Sequence, residues 1–263
     1  MKKIFAMMSS ALMLTSMISC NVNKSNPPTE EDSFTYKTIL VKQEDDSLKV
    51  KFNFIVDYPV NGNDSLVNEI KKNIFLTFED STTTDFSENH LQAIADKYVN
   101  DGRKDIKSMY EGADKPIYIM YEYTGSIKVM ENTEKYVTYY INSYLFEGGA
   151  HGMPYKGYLT IDKITKKTLS LFDIIDKDKT DELKTVLARN IIEQYYRRNL
   201  YDNEKEMSDI ELPKLAPAIT TEGIMFIYGA YEIDCYAAGM PYCVIPFNEI
   251  SDLMTDEAKA LIK

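Results

Sequence analysis

The feature that most restricts the fold is the change of hydrophobic period along the chain. Residues 34–41 (FTYKTILV) and 48–58 (LKVKFNFIVDY) alternate between apolar and polar side chains, as a β-strand with one exposed face does. Helical spacing of apolar residues follows over 65–78 and again from Ser87, where Gly102 is a candidate break in the second helix. Strand-forming runs return at 117–130 and 136–146, and a third helix is predicted from Thr180. This order predicts an α+β fold.

The pattern favours two closely packed subdomains, each an antiparallel sheet with helices on one face. We place the N-terminal α+β subdomain at residues 34–146 and the C-terminal α+β subdomain at residues 147–263. Both are expected to survive mild proteolysis as one compact unit.

The first 33 residues have the composition of a leader and a tether. Two lysines precede an apolar run from Ile4 to Ile18, which is too short to span a bilayer of roughly 30 Å comfortably. Ser19-Cys20 at its end resembles a bacterial lipobox, in which the cysteine is acylated, palmitate included, and becomes the mature N-terminus. The alternative is an ordinary signal peptide with a chance cysteine. We therefore predict a signal peptide at 1–19, lipidated Cys20, and a flexible tether at 20–33.

These segments predict an exported lipoprotein that the lipid anchors to a membrane, facing the periplasm or the cell surface. The full chain has a net charge of −11, and removal of the leader with its two lysines leaves 28 basic residues against 41 acidic ones. Such a balance argues against binding to nucleic acid and against charge-driven adhesion to anionic lipid. A basic protein partner is favoured electrostatically.

The sequence contains few candidate catalytic or metal-binding residues. Of the two histidines, His90 lies in a predicted helix, whereas His151 follows Gly148 and Gly149 in a glycine-rich loop. A histidine there can act as a base, a metal ligand or a hydrogen-bonded structural group. No nucleophile, zinc-spacing or nucleotide-binding motif is found, so we predict no catalytic residue, no metal and no cofactor. Cys235 and Cys243 flank one loop and form either a disulfide or two free thiols.

Two groups of segments together resemble a known family. The first is Leu145-Phe146-Glu147-Gly148-Gly149-Ala150-His151-Gly152, followed by Tyr158–Asp162 and Leu169–Asp173. The second, about 70 residues later, is Tyr231-Glu232-Ile233-Asp234-Cys235-Tyr236-Ala237-Ala238-Gly239 and then Val244–Phe247. This order resembles the extracytoplasmic module of RsiV-type lysozyme-sensing anti-sigma factors, which also accompanies PdaC-type peptidoglycan deacetylases.

The resemblance covers residues 34–254 and implies the family's fold and an envelope location. It does not carry over an anti-sigma role or deacetylation, because the sigma-binding segment, the membrane span and the catalytic domain of those relatives have no counterpart here. Cys235 stands where the family usually has proline, so this loop departs from the family pattern.

Three functions follow as expectations. The first is a non-catalytic module that binds a lysozyme-like envelope protein or peptidoglycan; the others are a peptidoglycan hydrolase and a structural or assembly lipoprotein without its own ligand. We expect the loops 148–152 and 231–239 to meet and form the functional face. Its predicted ligand-binding residues are Gly148, Gly149, His151, Tyr231, Glu232 and Tyr236. The alternative is that the glycines serve backbone turns and that Glu232 and His151 only tie the sheets together.

Overall fold

The computed structural model describes residues 34–78, 82–111, 119–198 and 210–263 of the 263-residue chain. The predicted leader, Cys20 and the whole of the tether lie outside the described residues. No helix in these four ranges is both long enough and apolar enough to cross a membrane.

The described residues form strands and helices in the predicted order. The strands are β1 Thr35–Asp45, β2 Val50–Asn61, β3 Tyr121–Asn132, β4 Tyr136–Glu147, β5 Met153–Asp162, β6 Lys167–Thr168, β7 Ala218–Ile219, β8 Ile224–Ile227 and β9 Tyr242–Ile245. The helices are α1 Asp64–Leu76, α2 Glu88–Glu111, α3 Leu171–Ile174, α4 Thr180–Ile191, α5 Phe247–Ile250 and α6 Asp256–Ile262. A π-helical turn, Ile192–Tyr196, extends α4.

The larger sheet has six strands in sequence order, and the smaller one has the order β7-β8-β9. The α+β class is confirmed. One pair departs from the antiparallel expectation: β2 and β3 run parallel, with Val50 opposite Tyr121. The reason is the connection between them, because α1 and α2 carry the chain back to the edge where β2 began.

Helices α1 and α2 pack on the larger sheet and close the first hydrophobic core. Alternate residues of β2, among them Phe52, Phe54 and Val56, point into this core and meet Ile70 and Ile74 of α1. Truncating one such buried isoleucine to alanine costs about 2–5 kcal/mol.

Gly102 does not end α2, contrary to its expected role as a break. A Cβ on Gly102 would lie 2.9 Å from a methyl group of Val50 and 3.0 Å from the ring of Tyr121. Glycine therefore serves the close approach of helix to sheet, and the helix continues to Glu111.

A second core lies between α4, the small sheet and the C-terminal helices, and includes Leu183, Leu187, Phe226 and Ile245. This half contacts the larger sheet on the face away from α1 and α2. Thr138 of β4 donates a hydrogen bond to the carbonyl oxygen of Ile219 in β7 at 2.8 Å. The two halves are thus joined through buried polar groups as well as through apolar contact.

Candidate functional site

The two glycine-bearing loops meet, as the sequence predicts. Residues 148–152 connect β4 to β5, and residues 228–241 connect β8 to β9. The Tyr236 hydroxyl donates to the carbonyl oxygen of Gly152 at 2.7 Å, which joins the loops directly. Gly148 and Gly149 have φ angles of +89° and +92°, a region that glycine adopts without steric cost.

Three side chains from these loops form an aromatic platform, consisting of His151, Tyr231 and Tyr236. The His151 ring stacks on the Tyr236 ring with centroids 3.8 Å apart and an interplanar angle of 22°. The Tyr231 hydroxyl lies 3.2 Å from His151 Nε2. The platform is accessible, because His151 is exposed and Tyr231 has 53% of its surface exposed.

Hydrogen bonding assigns the proton of the neutral His151 ring. Nδ1 lies 3.1 Å from the carbonyl oxygen of Gly152, which only accepts, so Nδ1 carries the hydrogen. Nε2 is then the acceptor, and the Tyr231 hydroxyl donates to it. Both ring nitrogens are therefore engaged within the platform.

Glu232 and the backbone of Tyr231 fix the shape of the second loop. The Glu232 carboxylate accepts hydrogen bonds from the amides of Gly229 at 2.7 Å and Lys214 at 2.8 Å. Tyr231 has a φ of +66°, which is unusual for a residue with a side chain and is held by this turn. Glu232 thus acts on the backbone, whereas the sequence grouped it with the ligand-binding side chains.

The π-helical turn after α4 is hydrogen-bonded to the second loop and to the start of β9. Three consecutive side chains of this turn reach the segment 234–244. Gln194 exchanges two hydrogen bonds with the backbone of Val244, the Tyr195 hydroxyl donates to the carbonyl of Ala238, and the Tyr196 hydroxyl donates to the Asp234 carboxylate. Widened helical turns often occur at functional sites, and here the turn holds the loop that carries two members of the platform.

The disulfide considered for Cys235 and Cys243 is not formed, and both residues are free thiols. Cys235 is exposed on the loop, whereas Cys243 on β9 is fully buried in the second core. Burial raises the pKa of the Cys243 thiol to about 12. The side chains therefore occupy different environments, although they are close in sequence.

Sequence reasoning did not single out three partly exposed tyrosines on the strands: Tyr140 on β4, Tyr158 on β5 and Tyr242 on β9. Most tyrosines of a β-rich protein pack strands, which is the expectation for Tyr140 and Tyr158, and the sequence predicts a loop at Tyr242. Strand alternation was one available signal, because it places Tyr140, Asn142 and Tyr144 on the same face of β4, away from α1 and α2. Over the described ranges, no cluster of three or more His, Cys, Asp or Glu side chains has an arrangement that could hold a metal ion.

Two segments of the chain are similar to known families. Residues 41–154 match the family described as deacetylase PdaC, and residues 173–248 match a family described as protein of unknown function, DUF3298. These matches confirm the PdaC/RsiV-type module that the sequence predicts. The loop 148–152 lies in the first match and the loop 231–239 in the second, so the platform is built where the two matched segments meet.

Solved structures share the fold. A DUF3298 family member from Bacteroides fragilis NCTC 9343 superimposes with a TM-score of 0.73 at 20% identity, covering 89% of this chain and 99% of its own. A DUF3298 family protein from Pseudomonas aeruginosa PAO1 gives a TM-score of 0.61 at 18% identity, covering 88% of this chain and 98% of its own. No match was found among curated proteins.

Proposed function

We propose that this chain, which joins a PdaC-type segment to a DUF3298-type segment, is a lipid-anchored binding module of the cell envelope. It is exported, acylated at Cys20 and held at the membrane, facing the periplasm or the cell surface. Its ligand is a lysozyme-like envelope protein or a cell-wall glycan, which it binds without catalysis. The leader, the lipobox-like Ser19-Cys20 and the tether support the location.

The aromatic platform is the observation that carries the binding role. Tyr231 is an exposed aromatic side chain at a strained backbone position, and His151 and Tyr236 hold it in place. Exposed, immobilised tyrosines are the residue type that dominates binding energy at many interfaces. Both nitrogens of His151 serve the platform itself, which favours a positioning role over that of a catalytic base.

The charge of the chain supports a basic protein partner. The acidic residue Asp234 lies within the second loop, two positions before Tyr236. Complementary charge raises the association rate and makes it sensitive to salt. Binding to a lysozyme is therefore expected to weaken as ionic strength rises.

A binding experiment tests the proposal. A form that begins at Asn21, and so retains every described residue, is titrated with hen lysozyme and with purified peptidoglycan. We expect saturable binding to one of them without turnover, and at least about tenfold weaker binding in Tyr231→Ala, because truncating a central interface tyrosine commonly costs more than 1 kcal/mol. Tyr110→Ala on α2 is the control, since Tyr110 is also exposed but far along the chain from both loops.

Amide chemical shifts locate the face. Residues 148–152 and 231–239 are expected to respond to the bound ligand, whereas α1 and α2 are not. Shifts confined to α1 and α2 would refute the platform. Turnover of peptidoglycan that disappears in His151→Ala would instead identify a hydrolase, and absence of both binding and turnover would favour an assembly role.

A further inference from the structure

On the face of the larger sheet away from α1 and α2, the exposure of the side chains increases along β4. Thr138 on this face is fully buried beneath β7. Two residues further, Tyr140 is half-buried, and Tyr144 has 38% of its surface exposed. Alternation places Asn142 between them on the same face. Among the described residues, the smaller sheet thus covers one end of this face, and the side chains further along β4 are partly exposed.

Tyrosines from three strands meet at the boundary between the covered and the open part. Tyr140 on β4 lies opposite Tyr158 on β5, with ring centroids 5.3 Å apart and an interplanar angle of 34°. Tyr242 on β9 is 42% exposed and packs its ring edge against Tyr195 at 5.6 Å. We call Tyr140, Tyr158 and Tyr242 the tyrosine seam.

The phenol groups of Tyr140 and Tyr158 stay protonated. Burial, followed by the nearby Tyr140 and Tyr242, raises the pKa of Tyr158 to about 12. Burial, followed by Tyr242, also raises the pKa of Tyr140. At neutral pH these two residues therefore present uncharged hydroxyl groups that can donate and accept hydrogen bonds.

Several tyrosine hydroxyls in the C-terminal half are hydrogen-bonded within the protein, whereas those of the seam, like those of Tyr144 and Tyr155, make no hydrogen bond among the described residues. The hydroxyls of Tyr195, Tyr228 and Tyr236 each donate to a backbone carbonyl oxygen. In the part of the chain that the structure describes, the hydroxyls of the seam and the carboxamide of Asn142 make no side-chain hydrogen bond. Four neutral polar groups on one open face are thus left to solvent or to a ligand.

We propose that the tyrosine seam is a saccharide-binding site. Half-exposed aromatic rings offer flat apolar surfaces for the C–H faces of a pyranose ring, and the free hydroxyls and the Asn142 carboxamide match its hydroxyl and acetamido groups. All four groups are uncharged, which suits a neutral sugar better than a charged protein surface. Charged side chains also lie on this face: the exposed Lys156 is opposite Asn142 on β5, and Lys128 is opposite Tyr140 on β3, where it forms an ion pair with Asp57 at 2.9 Å.

The inference rests on the proposed function as a binding module, but it concerns a different surface and names its ligand class. The platform lies on the loops, whereas the seam lies on strands β4, β5 and β9. Each site therefore has variants that leave the other intact.

Titration with chitotetraose, the tetramer of N-acetylglucosamine, tests the seam. The full chain is kept in a detergent without sugar head groups, because those would compete. We expect saturable binding, and about two- to tenfold weaker binding for each of Tyr140→Phe, Tyr158→Phe and Tyr242→Phe, since each removes one neutral hydrogen bond and keeps the ring. Tyr155→Phe is the matched control. Tyr155 is 38% exposed and lies on β5 like Tyr158, but strand alternation places the two residues on opposite faces of the sheet.

The outcomes separate the two proposals. Failure of the wild-type chain to bind chitotetraose, or equal binding by the seam variants and Tyr155→Phe, overturns the saccharide site. Lysozyme binding that is lost in Tyr231→Ala and retained in Tyr158→Phe upholds the platform whatever the sugar result. Lysozyme binding that is lost in Tyr158→Phe and retained in Tyr231→Ala means that the seam serves a protein, and it likewise overturns the saccharide site.

Discussion

The buried threonines between the two halves give the sharpest test of the fold. The Ile219 amide donates to Thr160 Oγ1 at 3.2 Å, and the Thr138 hydroxyl donates to the Ile219 carbonyl oxygen at 2.8 Å. The two hydroxyl oxygens lie 3.1 Å apart. Since Thr138 already donates elsewhere, Thr160 is the donor between them, and the three bonds form a closed ring of donors and acceptors.

Replacing Thr138 with valine keeps the side-chain shape and removes two of these bonds. It leaves the Thr160 hydroxyl without its acceptor and deprives the Ile219 carbonyl of this donor, both in a fully buried place. An unsatisfied buried group costs about 1–3 kcal/mol, so we expect Thr138→Val to lower the free energy of unfolding by about 2–4 kcal/mol. At roughly 2–4 °C per kcal/mol for a domain of this size, the melting temperature falls by about 4–16 °C.

Urea unfolding followed by both fluorescence and circular dichroism measures this effect. Thr160→Val removes the Thr138–Thr160 bond as well, so the double variant is expected to lose about 1 kcal/mol less than the sum of the single variants. Thr185→Val is the control on the exposed side of α4. A loss below about 0.5 kcal/mol for Thr138→Val would refute the buried ring, and two separate transitions would contradict one cooperative unit.

Three further predictions concern the N-terminal segment and the two cysteine thiols. Cys20→Ser is expected to release the protein from the membrane fraction or to leave an uncut precursor; unchanged fractionation and migration contradict lipidation. Mild proteolysis is expected to remove residues 21–33 first, because this segment lacks the apolar residues that offset chain ordering; a resistant fragment that retains Pro27 and Pro28 contradicts the tether. Alkylation of the form from Asn21 without reductant is expected to label exposed Cys235 in the folded state and buried Cys243 only in denaturant, because burial keeps that thiol protonated; a mass without any alkyl group in denaturant would show a bridge.

Local sequence patterns predicted the helices and strands themselves better than they predicted which elements pair or pack together. The apolar spacing of α1 and the alternation of β2 depend on residues close in sequence, so both were predicted correctly. The break expected at Gly102 was wrong, because the contact with Val50 that requires a glycine comes from a strand about 50 residues earlier. The parallel pairing of β2 with β3 depends on where α1 and α2 lead the chain, which no local pattern encodes.

The candidate site was predicted in part. The meeting of loops 148–152 and 231–239 followed from the family resemblance, and the contact between His151 and Tyr231 agrees with it. The sequence left both a structural and a ligand-binding role open for Glu232, because an acidic side chain in a loop looks the same whether it binds backbone amides or a ligand. In the structure its carboxylate accepts from two backbone amides. The tyrosine seam was missed because strand tyrosines pack or face solvent according to what covers their sheet.

The parallel pairing of β2 with β3 has a consequence for the order of folding. Lys51 and Glu122 form an ion pair across these strands although 71 positions separate them. The β1–β2 hairpin and the β3–β4–β5 meander close over short distances, whereas joining them requires closure of the long segment that contains α1 and α2. We therefore expect the two antiparallel pieces to form early and the β2–β3 pairing to set the folding rate. Until that step, two sheet edges are open and the first core is incomplete, which is the interval in which a newly made chain is most prone to aggregation.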